Sequence, residues 1–586
     1  MKNTKVIMSG NEAVARGAYE SGVKVAAAYP GTPSTEILEN IAKYYPNIYA
    51  EWSVNEKVAF EVALGAAVAG ARAMAVMKHV GVNIAMDPFV QSSYTGMNAG
   101  LVIVSCDDPG QWSSQNEQDN RYLAKFAYIP LIEPTDSQEA KDFLKYAFEI
   151  SEKFDTPVML RLTTRVSHSE GVVTLDEPII TEVKGVVGPP EKYNAIPACS
   201  KIMRKKVIAR YEKLKEFVET SPLNYIENKN SSIGIITSGI AYQYVKEVMP
   251  DVNILKLGIT NPIPVAKIKE FAKLCKKIFV VEEVEPYLEE QIRALGIEIE
   301  GKKYFPIIDE LTPEIVEKGA IEAGIIKKSI PFIKKEEIFP RPPVMCAGCP
   351  HRGVFYVLKK LKVIISSDIG CYTLAVLPPL HAMDIALSMG ASIGNAIGMD
   401  KAKEKRKVVA ALGDSTFLHS GITGLLDAVY NKSPITIIIL NNDTTAMTGF
   451  QDHPGTGKTL MGETTKAVDY VKLAQSLGVE SVKVIDPYNY KETYDTIKEE
   501  IEKDTTSVII TNRPCVFLRK EKKKHYYVDS EKCTGCHICL GLGCPAMTIS
   551  EKKTKKGKNI VEINQYSCIG CSLCAQLCTS NAIIPC

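Results

Sequence analysis

The chain has 586 residues, 45% hydrophobic and 24% charged, with 39 Gly and 32 Pro. That profile fits a folded protein of three or four domains and excludes a disordered or fibrous one. Seventy Lys and Arg against 68 Asp and Glu leave a formal charge of +2, so bulk charge directs it neither to nucleic acid nor to an anionic membrane.

Chain order begins with α/β alternation. Over residues 1–185 the strand candidates are Val6–Met8, Val23–Tyr29, Met74–Lys78, Leu101–Ser105 and Pro157–Leu162, separated by helical patterns at Thr35–Tyr44, Glu56–Ala69 and Ser137–Ser151. This spacing predicts a parallel sheet. The run Val62–Ala71 is the most apolar, yet it stops at Arg72, short of the roughly 18 residues of a membrane span. The N-terminus turns polar after Met8 without a signal-peptide core.

Residues 186–230 read as a linker wrapped on the surface, with a basic helical stretch. A smaller α/β unit is expected over 231–335 and a third over 336–520, with strands Val363–Ser366, Lys407–Leu412, Ile435–Leu440 and Ser507–Thr511. A basic linker then leads to a tail, 524–586. Nine of the 16 cysteines fall between Cys533 and Cys586. A cysteine-rich segment attached to a large chain without an export signal points to metal binding in a reducing cytoplasm rather than to disulfides.

The tail repeats CxxCxxC. One half holds Cys533, Cys536, Cys539 and Cys544, the other Cys568, Cys571, Cys574 and Cys578. Three thiolates two residues apart wrap one face of a cubane, and the fourth cysteine of each run serves the other cluster. The expected sets are Cys533, Cys536, Cys539 with Cys578, and Cys568, Cys571, Cys574 with Cys544: two [4Fe–4S] clusters. Zinc also accepts CxxC pairs, but two triplets plus remote cysteines exceed what it needs. The first half carries one extra residue before Cys544, which Gly541 and Gly543 are expected to absorb. Cys586 fits no pattern.

In the third unit one strand ends in Gly413-Asp414-Ser415 and the next in Asn441-Asn442. Such a pair brings a carboxylate and an amide oxygen to the carboxyl edge of a parallel sheet, where ligands sit. With a carbonyl at Thr444, these hard oxygens suit Mg²⁺ holding a diphosphate. Gly413 is expected to let backbone approach the phosphates, and a helix from Ser415 to offer N–H groups. The arrangement resembles thiamine diphosphate (TPP) enzymes. TPP also needs an acid against its aminopyrimidine ring; Glu51, Glu56 and Glu61 are the candidates. Glu56 opens the Ala-rich helix, where an acid is equally favoured by the helix dipole.

The segments Tyr29-PGTPSTE, Met77–Phe89, Asp107–Arg121, Cys346-AGCPHRG, Ser367-DIGCYTL, Gly413-DSTFLHSGI and Asn441–Gly457, with the double CxxCxxC tail, together resemble the 2-oxoacid:ferredoxin oxidoreductases, over essentially the full length. The large (α) subunits of their indolepyruvate branch are most similar, and in them GDS replaces GDG. The resemblance implies two TPP-binding parallel α/β domains, a transketolase C-terminal-like α/β domain and a 2[4Fe–4S] ferredoxin-like domain. It places the aminopyrimidine-contacting acid on Glu56. It further implies TPP- and Mg²⁺-dependent oxidative decarboxylation of an arylpyruvate with coenzyme A, electrons passing singly through the clusters to ferredoxin, and a separate β subunit. Pyruvate, 2-oxoglutarate or a branched-chain 2-oxoacid is the alternative substrate.

Other residues stay open at this point. Cys346, Cys349, Cys371 and Cys515 stand where relatives hold a third cluster, or are buried hydrophobes. His453 and His79 touch substrate or phosphate, or only pack. Thr32, and with it Arg352, binds the substrate carboxylate, or Thr32 caps a helix. The basic runs Lys522–Lys524 and Lys552–Lys558 steer an acidic ferredoxin, or are solvated loops.

Overall fold

The computed structural model describes residues 3–327, 339, 341–518 and 524–586. It divides into two compact units, Met1–Glu336 and Glu337–Cys586.

In the first unit a seven-stranded sheet runs in the order Ile259–Asn261, Leu131–Ile132, Val158–Thr163, Leu101–Asp107, Ala73–Lys78, Val25–Ala28, Tyr49–Trp52. All neighbours are parallel except the first pair. Its central strands are buried throughout, as expected for a sheet covered on both faces. The helix Glu56–Val68 packs Phe60, Ala63 and Ala67 into that core. The first strand departs from expectation: Lys5–Ser9 pairs antiparallel with Glu170–Thr174 in a separate two-stranded ribbon. Ile7 is left 70% exposed there beside Val172, its partner on the open face of the ribbon, whereas Val173 on the other face is buried.

Residues 186–230 are more than a linker. Pro197–Thr220 is a 24-residue helix that buries Met203, Val207, Leu214 and Val218. Asn224–Glu227 is the antiparallel edge strand of a four-stranded sheet with Asn253–Leu257, Ile233–Ser238 and Lys277–Val281. The smaller α/β domain therefore begins before residue 231. It also returns a strand, Ile259–Asn261, to the edge of the large sheet.

The second unit is built on a six-stranded parallel sheet ordered Ile385–Ala386, Ile364–Ser367, Val408–Gly413, Thr436–Asn441, Ser507–Asn512, Ser481–Ile485. Gly413 lies opposite Leu440, so the carboxyl ends of two adjacent strands deliver Asp414 and Asn442 side by side. After Asp414 the chain turns helical through a π turn at Phe417–Gly421 and continues as Ile422–Tyr430, a distortion common at functional sites.

The cysteine tail packs into the same unit. Leu542, Leu573 and Leu577 belong to one buried cluster with Phe355, Tyr356 and Ile497. Its two halves repeat in backbone as in sequence: Gly535 and His537 around Cys536, and Gly570 and Ser572 around Cys571, all have φ between 60° and 72°. Gly543 also adopts φ +66° and takes up the extra residue, whereas Gly541 lies in the 3-10 turn Ile538–Leu542. Met547–Lys553 and Asn559–Ile563 form a hairpin whose tip carries exposed Lys555 and Lys556. Lys522 and Lys523 lie outside the described residues. No helix among the described residues is long and apolar enough to cross a membrane.

Candidate active site

Asp414 is 2% exposed and organises the carboxyl edge of the second unit's sheet. Its Oδ1 accepts from Ser415 N at 2.8 Å and its Oδ2 from Asn442 N at 3.1 Å. Asp443, at φ +58°, turns the chain so that the Thr444 carbonyl faces back. The Asn442 side-chain oxygen stands 3.2 Å from both Asp414 Oδ1 and Thr444 O. Three oxygens so placed repel one another unless a cation lies among them. Rotating the amide would trade that repulsion for two hydrogen bonds, so the oxygen-inward arrangement is the one that fits Mg²⁺.

The cradle also presents unpaired polar atoms. His453 Nδ1 accepts from Gly455 N at 3.1 Å, which in a neutral ring leaves the proton on Nε2. That Nε2 is buried without a hydrogen bond, 3.3 Å from Asp414 Oδ2. The buried Tyr470 hydroxyl, beside Asp414, is likewise unpaired. Orphaned donors around an acidic, oxygen-lined pocket fit a phosphate-bearing ligand. Ser415 Oγ accepts from Thr445 Oγ1 at 3.1 Å. Gly413 has a different reason from the expected one: a Cβ there would meet the Tyr372 ring at 3.1 Å, and Gly413 N donates to the Tyr372 hydroxyl at 3.0 Å.

The cysteines form three quartets, all in the second unit. Cys533, Cys536, Cys539 and Cys578 line one small cavity. Cys544, Cys568, Cys571 and Cys574 line another, which Ala347 and Gly348 also border. These are the crossed sets read from the spacing. Among the described residues no three His, Cys, Asp or Glu side chains converge on a single-ion point. In the third quartet, Cys346 and Cys371 are both within electrostatic reach of Cys349, and Cys346 of Cys515. Cys515 N donates to the Asn442 carbonyl at 2.9 Å. Cys586 is exposed and outside all three.

The carboxyl edge of the first unit's sheet carries a separate constellation. Asn55 caps the helix that Glu56 opens, its side chain accepting from Val58 N at 2.9 Å. Glu56 is 8% exposed and lies over Gly81, where a Cβ would stand 2.7 Å from Glu56 Cγ. Glu61 is exposed and ion-paired with Lys57, and Glu51 accepts from Ser53 Oγ. His79 is fully buried, its Nε2 within 3.3 Å of both Asn116 oxygens. Thr32 is half-buried, and its carbonyl accepts from Ser113 Oγ at 3.2 Å.

Sequence reasoning passed over Lys78. It ends the apolar strand Ala73–Lys78, its Cβ 3.1 Å from where a Gly31 Cβ would be, and its ammonium donates to Ser113 O at 2.5 Å. Ser113 thus links Lys78 to Thr32. Burial pushes the Lys78 ammonium down to about 8, against the partial pull of Asp108. A lysine closing an otherwise apolar strand was the available signal. Arg352 is corrected: it is 3% exposed and commits both Nη groups to four backbone carbonyls, Met345, Cys346, Leu542 and Gly543, so that only a buried Nε is unpaired and no two-pronged fork is open to a substrate carboxylate.

Three segments match known families: residues 16–220 the thiamine-diphosphate-binding part of pyruvate flavodoxin/ferredoxin oxidoreductases, 368–511 the C-terminal TPP-binding domain of thiamine pyrophosphate enzymes, and 532–582 a 4Fe-4S dicluster domain. Proteins described as indolepyruvate oxidoreductase subunit IorA are similar over nearly the whole length. That of Pyrococcus horikoshii is 43% identical over 99% of this chain and 96% of its own. Those of Archaeoglobus fulgidus and Methanothermobacter marburgensis are 41% and 40% identical, over 99% and 100% of this chain and 97% and 98% of theirs. A solved 2-oxoglutarate:ferredoxin oxidoreductase from Magnetococcus marinus aligns over 55% of this chain and 65% of its own at 21% identity, with a TM-score of 0.47.

Proposed function

Since the chain belongs to the IorA family of 2-oxoacid:ferredoxin oxidoreductase large subunits, we propose that it oxidatively decarboxylates arylpyruvates such as indolepyruvate, forming arylacetyl-CoA and CO₂ and passing electrons to ferredoxin. When bound, TPP supplies the electron sink for loss of CO₂. Asp414, Asn442 and the Thr444 carbonyl would hold Mg²⁺ for the diphosphate, with His453 Nε2, the Tyr470 hydroxyl and Ser415 as further polar partners. Glu56 would supply the carboxyl for the aminopyrimidine ring, holding or giving up a proton there. Thr32 and Lys78 take the carboxylate of the 2-oxoacid, Ser113 tying the Thr32 carbonyl to the Lys78 ammonium.

The observation that carries the reading is the serial placement of the cysteine quartets. Cys515 is bonded to Asn442 at the metal end of the cradle, and the Cys346–Cys349 loop borders the cavity of Cys544, Cys568, Cys571 and Cys574. Cys574 of that set lies within electrostatic reach of Cys539 of the next. We assign a [4Fe–4S] cluster to each quartet, three in all, so electrons leave the cradle one at a time toward the tail. A smaller β subunit completes the enzyme, in a reducing cytoplasm. The test is anaerobic co-purification with the β subunit, then assay of indolepyruvate, phenylpyruvate and pyruvate with coenzyme A and a viologen acceptor. Indolepyruvate should give the highest kcat/KM; faster turnover of pyruvate rejects the aryl assignment.

A further inference from the structure

Arg352 presents an electrostatic problem. Its guanidinium is 3% exposed, and among the described residues no carboxylate ion-pairs with it. A buried charge without a counter-charge is costly; carbonyl dipoles take up its Nη donors without neutralising it, and Nε is buried without a hydrogen-bond partner. Nη1 donates to Leu542 O and Gly543 O of the tail, both at 2.7 Å; Nη2 donates to Met345 O and to Cys346 O of the body, the latter at 3.0 Å. The first two carbonyls lie just before Cys544, the last two at the start of the Cys346–Cys349 loop. Gly348, at φ +65°, packs so closely on Ile569 that a Cβ would come within 2.2 Å of its Cδ1. One side chain therefore fastens the two cluster-bearing loops where they meet.

We propose that Arg352 is the buried counter-charge between two iron–sulfur clusters, those of Cys346, Cys349, Cys371, Cys515 and of Cys544, Cys568, Cys571, Cys574, and that it stabilises their reduced states. This rests on the three-cluster assignment above. A thiolate-bound cubane is anionic and gains one further negative charge on reduction, so a fixed cation beside it favours the reduced form. Arg352 touches the cluster of Cys533, Cys536, Cys539 and Cys578 only through Leu542, at the end of the turn that carries Cys539, so that cluster serves as the less exposed internal reference. Arg352 is a positioning residue, acting on the clusters and not on substrate.

The experiment is dithionite titration of the anaerobic two-subunit enzyme followed by EPR, in the wild type, R352K and R352Q, with iron content measured on each. R352Q is expected to lower the one-electron reduction constant of the two adjoining clusters about tenfold, about 59 mV, leaving the third unchanged. R352K keeps the charge and is expected to titrate like the wild type. If R352Q loses iron from the adjoining quartets alone, the fastening role stands and R352K decides the charge. Unchanged potentials in iron-replete R352Q, or a fall in R352K as large as in R352Q, overturns the proposal. Wild-type iron of about eight atoms rather than about twelve would instead reject the third cluster, and the Cys544 set would still report on Arg352.

Discussion

Cys515 donates its backbone N–H to the carbonyl of Asn442 at 2.9 Å. One residue belongs to a cysteine quartet and the other to the oxygen trio around Asp414, so the redox and cofactor parts of the second unit share a direct hydrogen bond. Substituting Cys515→Ala removes a cluster ligand and retains that backbone contact. The variant should lose about four irons and keep TPP. Its tail clusters should still be reducible by dithionite but no longer by a 2-oxoacid. Substrate-driven bleaching at the wild-type rate would show that electrons bypass this quartet.

Asp414→Ala tests the other partner. It removes an oxygen ligand and the acceptor for Ser415 N and Asn442 N, while the tail quartets make no use of it. Bound TPP and Mg²⁺ should be lost, activity should fall below detection, and iron should stay at the wild-type level. Retained TPP after gel filtration contradicts the assignment.

Glu56→Gln keeps the size and burial of the side chain over Gly81 and removes its acid–base function. General acid–base steps contribute roughly 10²- to 10⁴-fold, so kcat should fall in that range with TPP content and KM little changed. An equal fall in the Glu61→Gln variant, whose residue is exposed and paired with Lys57, would reject Glu56 as the acid.

Lys78 gives a pH signature. Its ammonium titrates near 8, below the ordinary lysine value, so the charge is present under pH 8 and lost as pH rises through it. If that charge holds the 2-oxoacid carboxylate, KM should be flat below pH 8 and climb above it. Lys78→Met should raise KM roughly 10- to 100-fold, as expected for a charged hydrogen bond worth about 1.5–3 kcal/mol, and abolish the pH dependence. Unchanged KM in the variant refutes the role.

What was legible in sequence was what is local. The tail quartets follow from spacings of two residues, and Asp414 and Asn442 from the ends of two strong strands. Arg352 was misread because its partners Leu542 and Gly543 lie about 190 residues away, and an arginine near a motif carries no mark of what it will fasten. Lys78 was missed because its link to Thr32 runs through Ser113, on a third strand end. Ile259–Asn261 was assigned to no sheet because three residues that close the edge of a distant sheet have no period to detect. Gly413 has a reason that no local pattern carries: the Tyr372 ring, 41 positions earlier in the chain, occupies its side-chain space.

The hairpin tip supplies the last test. Lys555 and Lys556 are exposed between Met547–Lys553 and Asn559–Ile563, a hairpin that packs Met547, Val561 and Ile563 against Cys539 and the partly buried Cys578. A cationic tip carried on the wall of a cluster cavity is placed to steer an acidic electron acceptor, an effect that appears in the association rate and fades with salt. Reversing both charges to Glu should slow ferredoxin reduction about tenfold at low ionic strength. The difference should close near 0.5 M salt, and reduction of a small cationic viologen should not slow at all. The hairpin itself should be unaffected, since neither lysine packs in the core. Equal ferredoxin rates at low salt would assign these lysines to solvation alone.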